Sequence, residues 1–277
     1  MSTMAKSRHA NAKTESSSPA VHRKNLFRLH NANSHRHNLW DVFADFCEMG
    51  ALAMSNSVDL AQRNEREKRY MSVINKYEPS EVHRFPQMLA ELTMVMEYGP
   101  DDVLGRVFGE LELGNSSRGQ FFTPYLVCQI MAAQLIGDGK DLHERLQERG
   151  FITVAEPACG AAAMPIAFVD ALTSKGVNFQ RALHVIAQDL DSRAVHMTYL
   201  QLSILHIPAI ITLGNTLLLE KRELWYTPSH ILGSWNYKLG STQELAIEQA
   251  DSVNISHSRI KPLPTAKLFN GHQFAFF

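Results

Sequence analysis

The stretch TVAEPACGAAAMPIAF, residues 153–168, decides the fold. An apolar run ends at Glu156-Pro157, and small residues from Ala158 to Ala163 separate it from a segment with a helical pattern. Gly160 among alanines lets the backbone pass close to a ligand that larger side chains would exclude. The helix that follows offers unbonded N–H groups at its start. Close packing of a strand against a helix would use the same residues, so the turn alone leaves both interpretations open.

The pattern around this turn is that of alternating strands and helices. Short apolar runs rich in β-branched residues predict strands at 151–155, 183–187 and 209–213. Helical patterns lie before and between them, at about 124–136, 161–175 and 191–206. This order predicts a doubly wound parallel sheet. The right-handed crossover rule then places the strand-to-helix turns at one edge, where such sheets bind ligands.

The first part of the chain has a different character. Residues 1–38 hold seven Lys and Arg against Glu15 alone, and their composition predicts a disordered basic arm. Such an arm is a solvated tail or, as a second interpretation, a contact to nucleic acid. Residues 39–118 predict a helical domain, with helical patterns at 40–56, 58–77, 80–98 and 100–112.

Composition excludes several classes of protein. The 277 residues carry 27 Lys+Arg and 28 Asp+Glu, so the whole chain lacks the basic footprint of a nucleic-acid binder. Three scattered cysteines argue against a disulfide framework and a metal knuckle, and a cytoplasmic protein without a metal is expected. No apolar run approaches the roughly 18 residues of a membrane span, and no signal peptide or membrane contact is predicted.

Three further elements accompany the glycine turn. Asp189 ends the second strand, where an acidic residue can accept hydrogen bonds from ribose hydroxyls, while Asp191 suits a helix cap. Asn215 follows the third strand and could read the edge of an adenine ring. Upstream, Thr123 is predicted to cap a helix that has Pro124 in its first position.

The segments GQFFTP (119–124), EPACGAA (156–162), AQDLD (187–191) and LGNTL (213–217) resemble the cofactor-binding half of adenine-specific DNA methyltransferases. The resemblance is to the modification subunits of type I restriction systems in particular. It implies an α/β, Rossmann-like class I S-adenosylmethionine-dependent methyltransferase fold, shortened, over residues 119–217. A helical N-terminal domain precedes it, and an aromatic-containing extension, 218–277, follows. S-adenosyl-L-methionine is the implied cofactor, and DNA and a specificity or partner subunit are the implied partners.

The resemblance also implies roles for individual residues. Phe122, Thr123 and Pro124 would border the methionine end of the cofactor. Glu156, Ala158, Cys159 and Gly160 would form the turn beneath it. Asp189 would hold the ribose, and Asn215 stands where the family usually has an Asp facing the adenine amino group.

One expected element is missing from the sequence. The family carries a [DN]PP[FYW] motif that accepts hydrogen bonds from the target amino group and stacks on the flipped base, and no such motif is present. Trp225, Tyr226, Trp235 and Tyr237 could stack on a base or simply pack, with Asn236 as the nearest polar acceptor. No catalytic residue is assigned. A sequence-specific enzyme would also need a means of reading base edges.

The expected function is therefore methylation of adenine N6 in DNA within a restriction-modification system. The alternatives are an inactive cofactor-binding module that regulates or interferes with such a system, and a methyltransferase for another substrate. A dinucleotide-dependent dehydrogenase is disfavoured, because the turn has one glycine rather than G-x-G-x-x-G and the next acidic residue comes too late. Cys159 has no partnered base in the pattern, so a small apolar role is favoured over a nucleophile.

Overall fold

The computed structural model describes residues 18–112, 123–240 and 273–275. Helices fill the first of these ranges: α1 (Pro19–Asn33), α2 (Leu39–Asn56), α3 (Arg63–Ile74), α4 (Pro79–Val82), α5 (Arg84–Met96) and α6 (Val103–Glu112). The second range begins with α7 (Tyr125–Ile136), α8 (Lys140–Arg149), β1 (Ile152–Glu156), α9 (Ala163–Ser174), α10 (Phe179–Ala182) and β2 (Leu183–Asp189). It continues with α11 (Ser192–Ile204), β3 (Ala209–Leu213), β4 (Glu223–Tyr226) and α12 (Pro228–Leu232), and residues 235–240 are again helical. The short strand β5 is Gln273–Ala275.

The strands form one sheet in the order β4-β3-β2-β1-β5. β1, β2, β3 and β5 are parallel, and β4 runs antiparallel to β3. The chain moves outward from β1 to β2 and β3, and β5 then lies on the opposite side of β1. The strand order therefore reverses at β1, and the carboxyl ends of the strands at such a point are where open α/β sheets bind ligands.

Side chains of the central strands alternate between two faces of the sheet. One face is almost inaccessible and consists of small and branched apolar residues: Ile152, Val154, Leu183, Val185, Ala187, Ala209 and Ile211. On the other face Thr153, Ile186 and Ile210 are partly exposed. The crossover helix α11 contacts both β2 and β3, so this helix is packed against the centre of the sheet.

The helical N-terminal region packs directly on the sheet domain. Helix α2 lies against α11, and a Cβ at Gly50 would come within 3.1 Å of Leu200 Cδ2. The absence of a side chain at Gly50 therefore allows this close helix contact. One continuous hydrophobic cluster joins residues such as Phe43 and Phe108 with Val154 and Val185 in the sheet.

The prediction of a disordered arm over 1–38 is wrong for residues 19–33, which form α1. Leu26 and Leu29 are buried on one face of this helix, which packs against α5. On another face Arg23 pairs with Asp101 at 3.5 Å, so a basic side chain meets an acidic partner. Composition counts charges but not the face on which they lie, which is why it favoured disorder. Residues 1–17 lie outside the described part.

Other predicted elements agree with the structure to within a few residues. The strands predicted at 151–155, 183–187 and 209–213 are observed at 152–156, 183–189 and 209–213. Helix α8 and the strands β4 and β5 were not predicted. No helix of the described chain has both the length and the apolar character needed to cross a membrane.

Candidate functional site at the carboxyl edge of the sheet

The loops that follow β1, β2 and β3 are hydrogen-bonded to one another. The Cys159 N–H donates to the Gln188 carbonyl oxygen at 2.9 Å, which joins the first loop to the second strand. The Gly214 N–H donates to the Asp189 carbonyl oxygen at 2.9 Å. The Thr216 hydroxyl donates to the Pro157 carbonyl oxygen at 2.7 Å, which joins the third loop to the first. Three segments that are distant in sequence thus form one edge of the sheet.

The glycine turn contains two residues in the left-handed region of the backbone. Gly160 has φ +53° and Ala162 has φ +77°. Glycine adopts such a conformation without strain, but alanine does so at a cost. Ala162 is fully buried directly before α9, so packing holds it in this conformation.

Asp189 closes this turn. Its Oδ2 accepts the Gly160 N–H at 2.9 Å, and its Oδ1 accepts the Asp191 N–H at 3.0 Å. Burial raises the pKa of Asp189 above its ordinary value, while these backbone bonds act in the opposite direction. Because each carboxylate oxygen has two acceptor positions, Asp189 retains capacity for further hydrogen bonds.

Glu156 is a buried carboxyl at the end of β1. Its Oε1 accepts the Ala158 N–H at 3.2 Å. Burial raises its pKa to about 7, and the nearby Asp189 carboxylate acts in the same direction. Near neutral pH this group can therefore either donate or accept a hydrogen bond, and a cationic ligand group beside it would favour the ionised form. Ala158 itself is exposed, whereas Gly160 is half-buried.

Asn215 uses its side chain within its own loop. Its Oδ1 accepts the N–H groups of Leu217 and Leu218 at 3.0 and 3.2 Å. This oxygen was expected to face an adenine amino group, but here it stabilises a turn. The amide NH2 is the remaining polar group of the side chain.

The residues expected at the methionine end are only partly described. Phe122 lies outside the described residues. Thr123 and Pro124 are exposed, and α7 begins one residue later than predicted, so Pro124 rather than Thr123 precedes the helix. The Thr123 carbonyl accepts a weak bond from the Cys128 thiol at 3.9 Å, which ties it to α7 rather than to the turn.

Cys159 has the environment of a packing residue. It is buried, and its sulfur lies 3.4 Å from the Thr198 hydroxyl oxygen. Burial raises the pKa of its thiol strongly, so the nucleophilic thiolate is disfavoured. Among the residues that the structure describes, no group of three or more His, Cys, Asp and Glu could hold a metal ion.

Sequence reasoning missed two residues that contact the turn from α11. The Thr198 hydroxyl donates to the Gly160 carbonyl oxygen at 2.9 Å, and Gln201 Nε2 donates to the Ala161 carbonyl oxygen at 2.5 Å. Both side chains are buried on a helix whose neighbouring residues are apolar. Polar residues three positions apart in such a helix were the available signal, because one helical turn places them on the same face.

The two tryptophans of the C-terminal region are packed in the interior rather than placed at this edge. Trp225 and Trp235 are buried. Trp235 contacts Phe151 and His184, which lie at the amino ends of β1 and β2, far along the strands from the glycine turn. Asn236 Oδ1 accepts a hydrogen bond from His230 Nε2 at 3.0 Å in the same region. Tyr237 is exposed.

A strand order that reverses at β1, a glycine turn after the first strand and an acidic residue after the second define a class: the Rossmann-like, S-adenosylmethionine-dependent methyltransferases. Residues 102–238 match the family model of the N-6 DNA methylases. The cofactor of this class is S-adenosylmethionine.

A crystal structure from Listeria monocytogenes, of a protein assigned to the class I S-adenosylmethionine-dependent methyltransferases, is similar at 14% identity with a TM-score of 0.39. The similarity covers 71% of this chain and 54% of that one, so the chain spans about half the length of that relative. No curated protein matches the chain.

The residues at the carboxyl edge suit this cofactor chemically. S-adenosylmethionine offers ribose hydroxyls, an adenine edge and two cationic centres, the amino group and the sulfonium. The edge offers the carboxyl groups of Glu156 and Asp189 at the ends of adjacent strands, together with a close backbone approach at Gly160. Hydrogen-bond acceptors for hydroxyl and ammonium groups thus lie beside a turn in which glycine, without a side chain, leaves room for a ligand.

Proposed function

We propose that this protein transfers a methyl group from S-adenosylmethionine to the N6 amino group of adenine in DNA. It would act in the cytoplasm as the modification component of a restriction-modification system. The observation that carries the proposal is the Asp189 carboxylate, which is hydrogen-bonded to the glycine turn at the edge where the parallel strands β1, β2 and β3 end. The family match over residues 102–238 connects this geometry with DNA methylation.

In this proposal each side chain has a binding role that follows from its chemistry. Asp189 accepts hydrogen bonds from ribose hydroxyls through its remaining lone pairs. Asn215 donates from its amide NH2 to an acceptor nitrogen of the adenine ring, since its oxygen is bonded within the loop. Glu156 lies near a cationic group of the cofactor and becomes ionised there, and Ala158 and Cys159 complete the turn. Phe122, Thr123 and Pro124 border the methionine end.

The bound cofactor supplies an electrophilic methyl group on a sulfonium sulfur. The attacking group is the amino nitrogen of an adenine that has left the base stack. A nitrogen–methyl bond would form as the methyl–sulfur bond breaks, the electron pair of that bond would stay on the sulfur as a neutral thioether, and the nitrogen would release one proton to solvent. The protein must hold donor and acceptor in line and exclude water, so its demand is positioning and electrostatic stabilisation rather than a strong base.

Recognition of a DNA sequence requires side chains that reach base edges in a groove. The whole chain has a net charge of −1, which does not favour DNA binding by the chain alone. These facts support a division of labour in which a partner subunit reads the sequence and this chain holds the cofactor.

One observation favours a second candidate, a module that binds the cofactor without transferring the methyl group. The sequence contains no [DN]PP[FYW] motif. Asn236, the polar residue that stands among the aromatic residues, is bonded to His230 away from the carboxyl edge. Such a module would regulate or interfere with a restriction-modification assembly by occupying the place of an active subunit.

The first test is calorimetric titration of the purified protein with S-adenosylmethionine. Asp189→Ala should abolish saturable binding, whereas Asp141→Ala, a change of an exposed acidic residue on α8, should leave it unchanged. Transfer of a labelled methyl group to unmethylated DNA, with and without partner subunits, then separates the two candidates. Binding without transfer in any combination would support the inactive module, and absence of binding would refute both.

A further inference from the structure

Helix α11 holds the glycine turn through two consecutive carbonyl groups. Thr198 bonds to the Gly160 carbonyl and Gln201 bonds to the Ala161 carbonyl, and both side chains are fully buried. In a trans peptide the C=O and the following N–H point in opposite directions. Holding the Gly160 carbonyl toward α11 therefore directs the Ala161 N–H to the other side of the turn.

The amide group of Gln201 makes three hydrogen bonds. Nε2 donates to the Ala161 carbonyl and to Asp102 Oδ1, the latter at 2.9 Å, and Oε1 accepts the Leu104 N–H at 3.0 Å. An amide has two N–H donors, and both are used here. A flipped amide would face two acceptors with its oxygen and a donor with its NH2, so the surroundings set one orientation.

Asp102 anchors this amide to the start of α6. It is 3% exposed, and its Oδ1 also accepts the Gly105 N–H at 2.9 Å. A Cβ at Gly105 would overlap the Asp102 carboxylate, so this packing depends on glycine there. Burial raises the pKa of Asp102 to about 6, while the bonds from Gln201 and Gly105 lower it. The carboxyl group is thus committed to neighbouring amides.

We propose that Asp102 and Gln201 are a positioning pair that presets the glycine turn for the cofactor. Through this pair the helical N-terminal region becomes part of the cofactor site, although neither residue has to touch the ligand. The chain of contacts runs from the first turn of α6 through Gln201 to the Ala161 carbonyl and from there to the start of α9. The consequence for cofactor affinity rests on the function proposed above, whereas the consequence for the turn does not.

Two substitutions at Asp102 test the link, which is the hydrogen bond between the Asp102 carboxylate and the Gln201 amide. Asp102→Asn keeps an oxygen that can accept from both Gly105 and Gln201 and should behave like the wild type. Asp102→Ser keeps a hydroxyl that can cap α6, but the shorter side chain cannot reach Gln201. Gln201→Met removes the link at its centre with little change in volume. Leu92→Ala, in the buried part of α5, serves as a control that lowers stability away from the turn.

Hydrogen exchange of the ligand-free, full-length protein measures the first effect. In Gln201→Met and Asp102→Ser, amides of residues 160–164 should exchange about tenfold faster relative to those of β3, because local opening of the turn costs less. Asp102→Asn and Leu92→Ala should keep the wild-type ratio. Calorimetry measures the second effect: the Kd for S-adenosylmethionine should rise about tenfold in the first two variants and stay within about twofold in the others, all compared where each variant is folded.

Each outcome decides the proposal. Unchanged exchange at the turn in Asp102→Ser overturns the positioning role, even if Gln201→Met fails to fold. Equal effects of Leu92→Ala and Asp102→Ser would also overturn it, since they would show a loss of general stability. If the wild type binds no cofactor, the proposed function fails, and the exchange data still establish or reject the pair.

Discussion

The Asp189 carboxylate accepts a hydrogen bond from the Gly160 N–H at 2.9 Å, although 29 residues separate the two in sequence. One side chain therefore holds the loop after β2 against the turn after β1. Because the same carboxylate bonds the Asp191 N–H, it organises two loops before any ligand arrives. Preorganisation of this kind reduces the entropy that cofactor binding would otherwise lose.

Substitution of Asp191 should lower the stability of the protein, whereas substitution of Asp189 should lower its affinity for the cofactor. The Asp191 carboxylate caps α11 by accepting the Arg193 N–H at 2.9 Å. Asp191→Ala should lower the free energy of unfolding by about 1 kcal/mol through loss of this cap while leaving cofactor affinity within about twofold. Urea denaturation and calorimetry measure the two quantities. A large loss of affinity in Asp191→Ala would show that the cap, and not Asp189 alone, shapes the ribose site.

Glu156 should make stability depend on pH. Its folded pKa of about 7 exceeds its ordinary value of 4.5, so the folded state binds the proton more tightly than the unfolded state. The stabilisation of the folded state by the protonated Glu156 carboxyl is present below pH 4.5 and is lost as the pH rises through 7. The loss should amount to at most about 3 kcal/mol.

Glu156→Gln should remove that dependence. The stability difference between wild type and variant, measured by urea denaturation from pH 4.5 to 7.5, should change steadily across this range. Asp102, whose pKa is also raised, is common to both proteins and cancels in the difference. A difference that does not vary with pH would refute the raised pKa of Glu156.

Gly214 should tolerate no side chain. A Cβ at this position would overlap the carbonyl oxygen of Glu220, which belongs to the backbone of the same loop. Gly214→Ala should therefore destabilise the protein by about 2–4 kcal/mol and weaken cofactor binding, because the loop that carries Asn215 must open.

Gly109→Ala is the matched control for Gly214→Ala. Gly109 lies in α6, and a Cβ there would meet no atom within 4 Å. Alanine should stabilise the helix by up to about 1 kcal/mol. Thermal unfolding compares the two variants, and similar Tm values would contradict the tight closure of the loop after β3.

The Cys159 thiol should be unreactive in the folded protein. All three cysteines are buried, and burial raises the pKa of the Cys159 thiol. A thiol reagent should therefore react slowly with the native protein and fully after denaturation. Cys159→Ala should retain cofactor affinity within about threefold, as expected for a small packing residue. Fast labelling of Cys159, or loss of all binding in the alanine variant, would restore a chemical role for the thiol.

The local patterns of the sequence predicted the central elements well. Buried parallel strands are short apolar runs, and β1, β2 and β3 were located to within two residues. β4 was missed because Glu223 and Leu224 do not form an apolar run, and β5 because three residues leave no periodicity to detect. Helix α1 was missed because its burial depends on a partner helix, α5, that composition does not reveal.

The candidate site also has features that local sequence predicted and features that it did not. The turn around Gly160 and the acidic residue at 189 are local signals, since each depends on a strand end and its neighbours. The contacts of Gln201 with Asp102 and Ala161 were not predictable. They join residues up to 99 positions apart, and no short-range pattern carries such information.

The sequence by itself determined the alternation of strands and helices, the place of the glycine turn and the resemblance to DNA methylases, because these depend on periodicity and on neighbouring residues. Tertiary structure alone decided that β5 pairs with β1, that α1 packs on α5 and that α11 holds the turn through Thr198 and Gln201. The physical reason is that burial and hydrogen bonding between distant segments depend on the packing of the whole chain, which no local pattern contains.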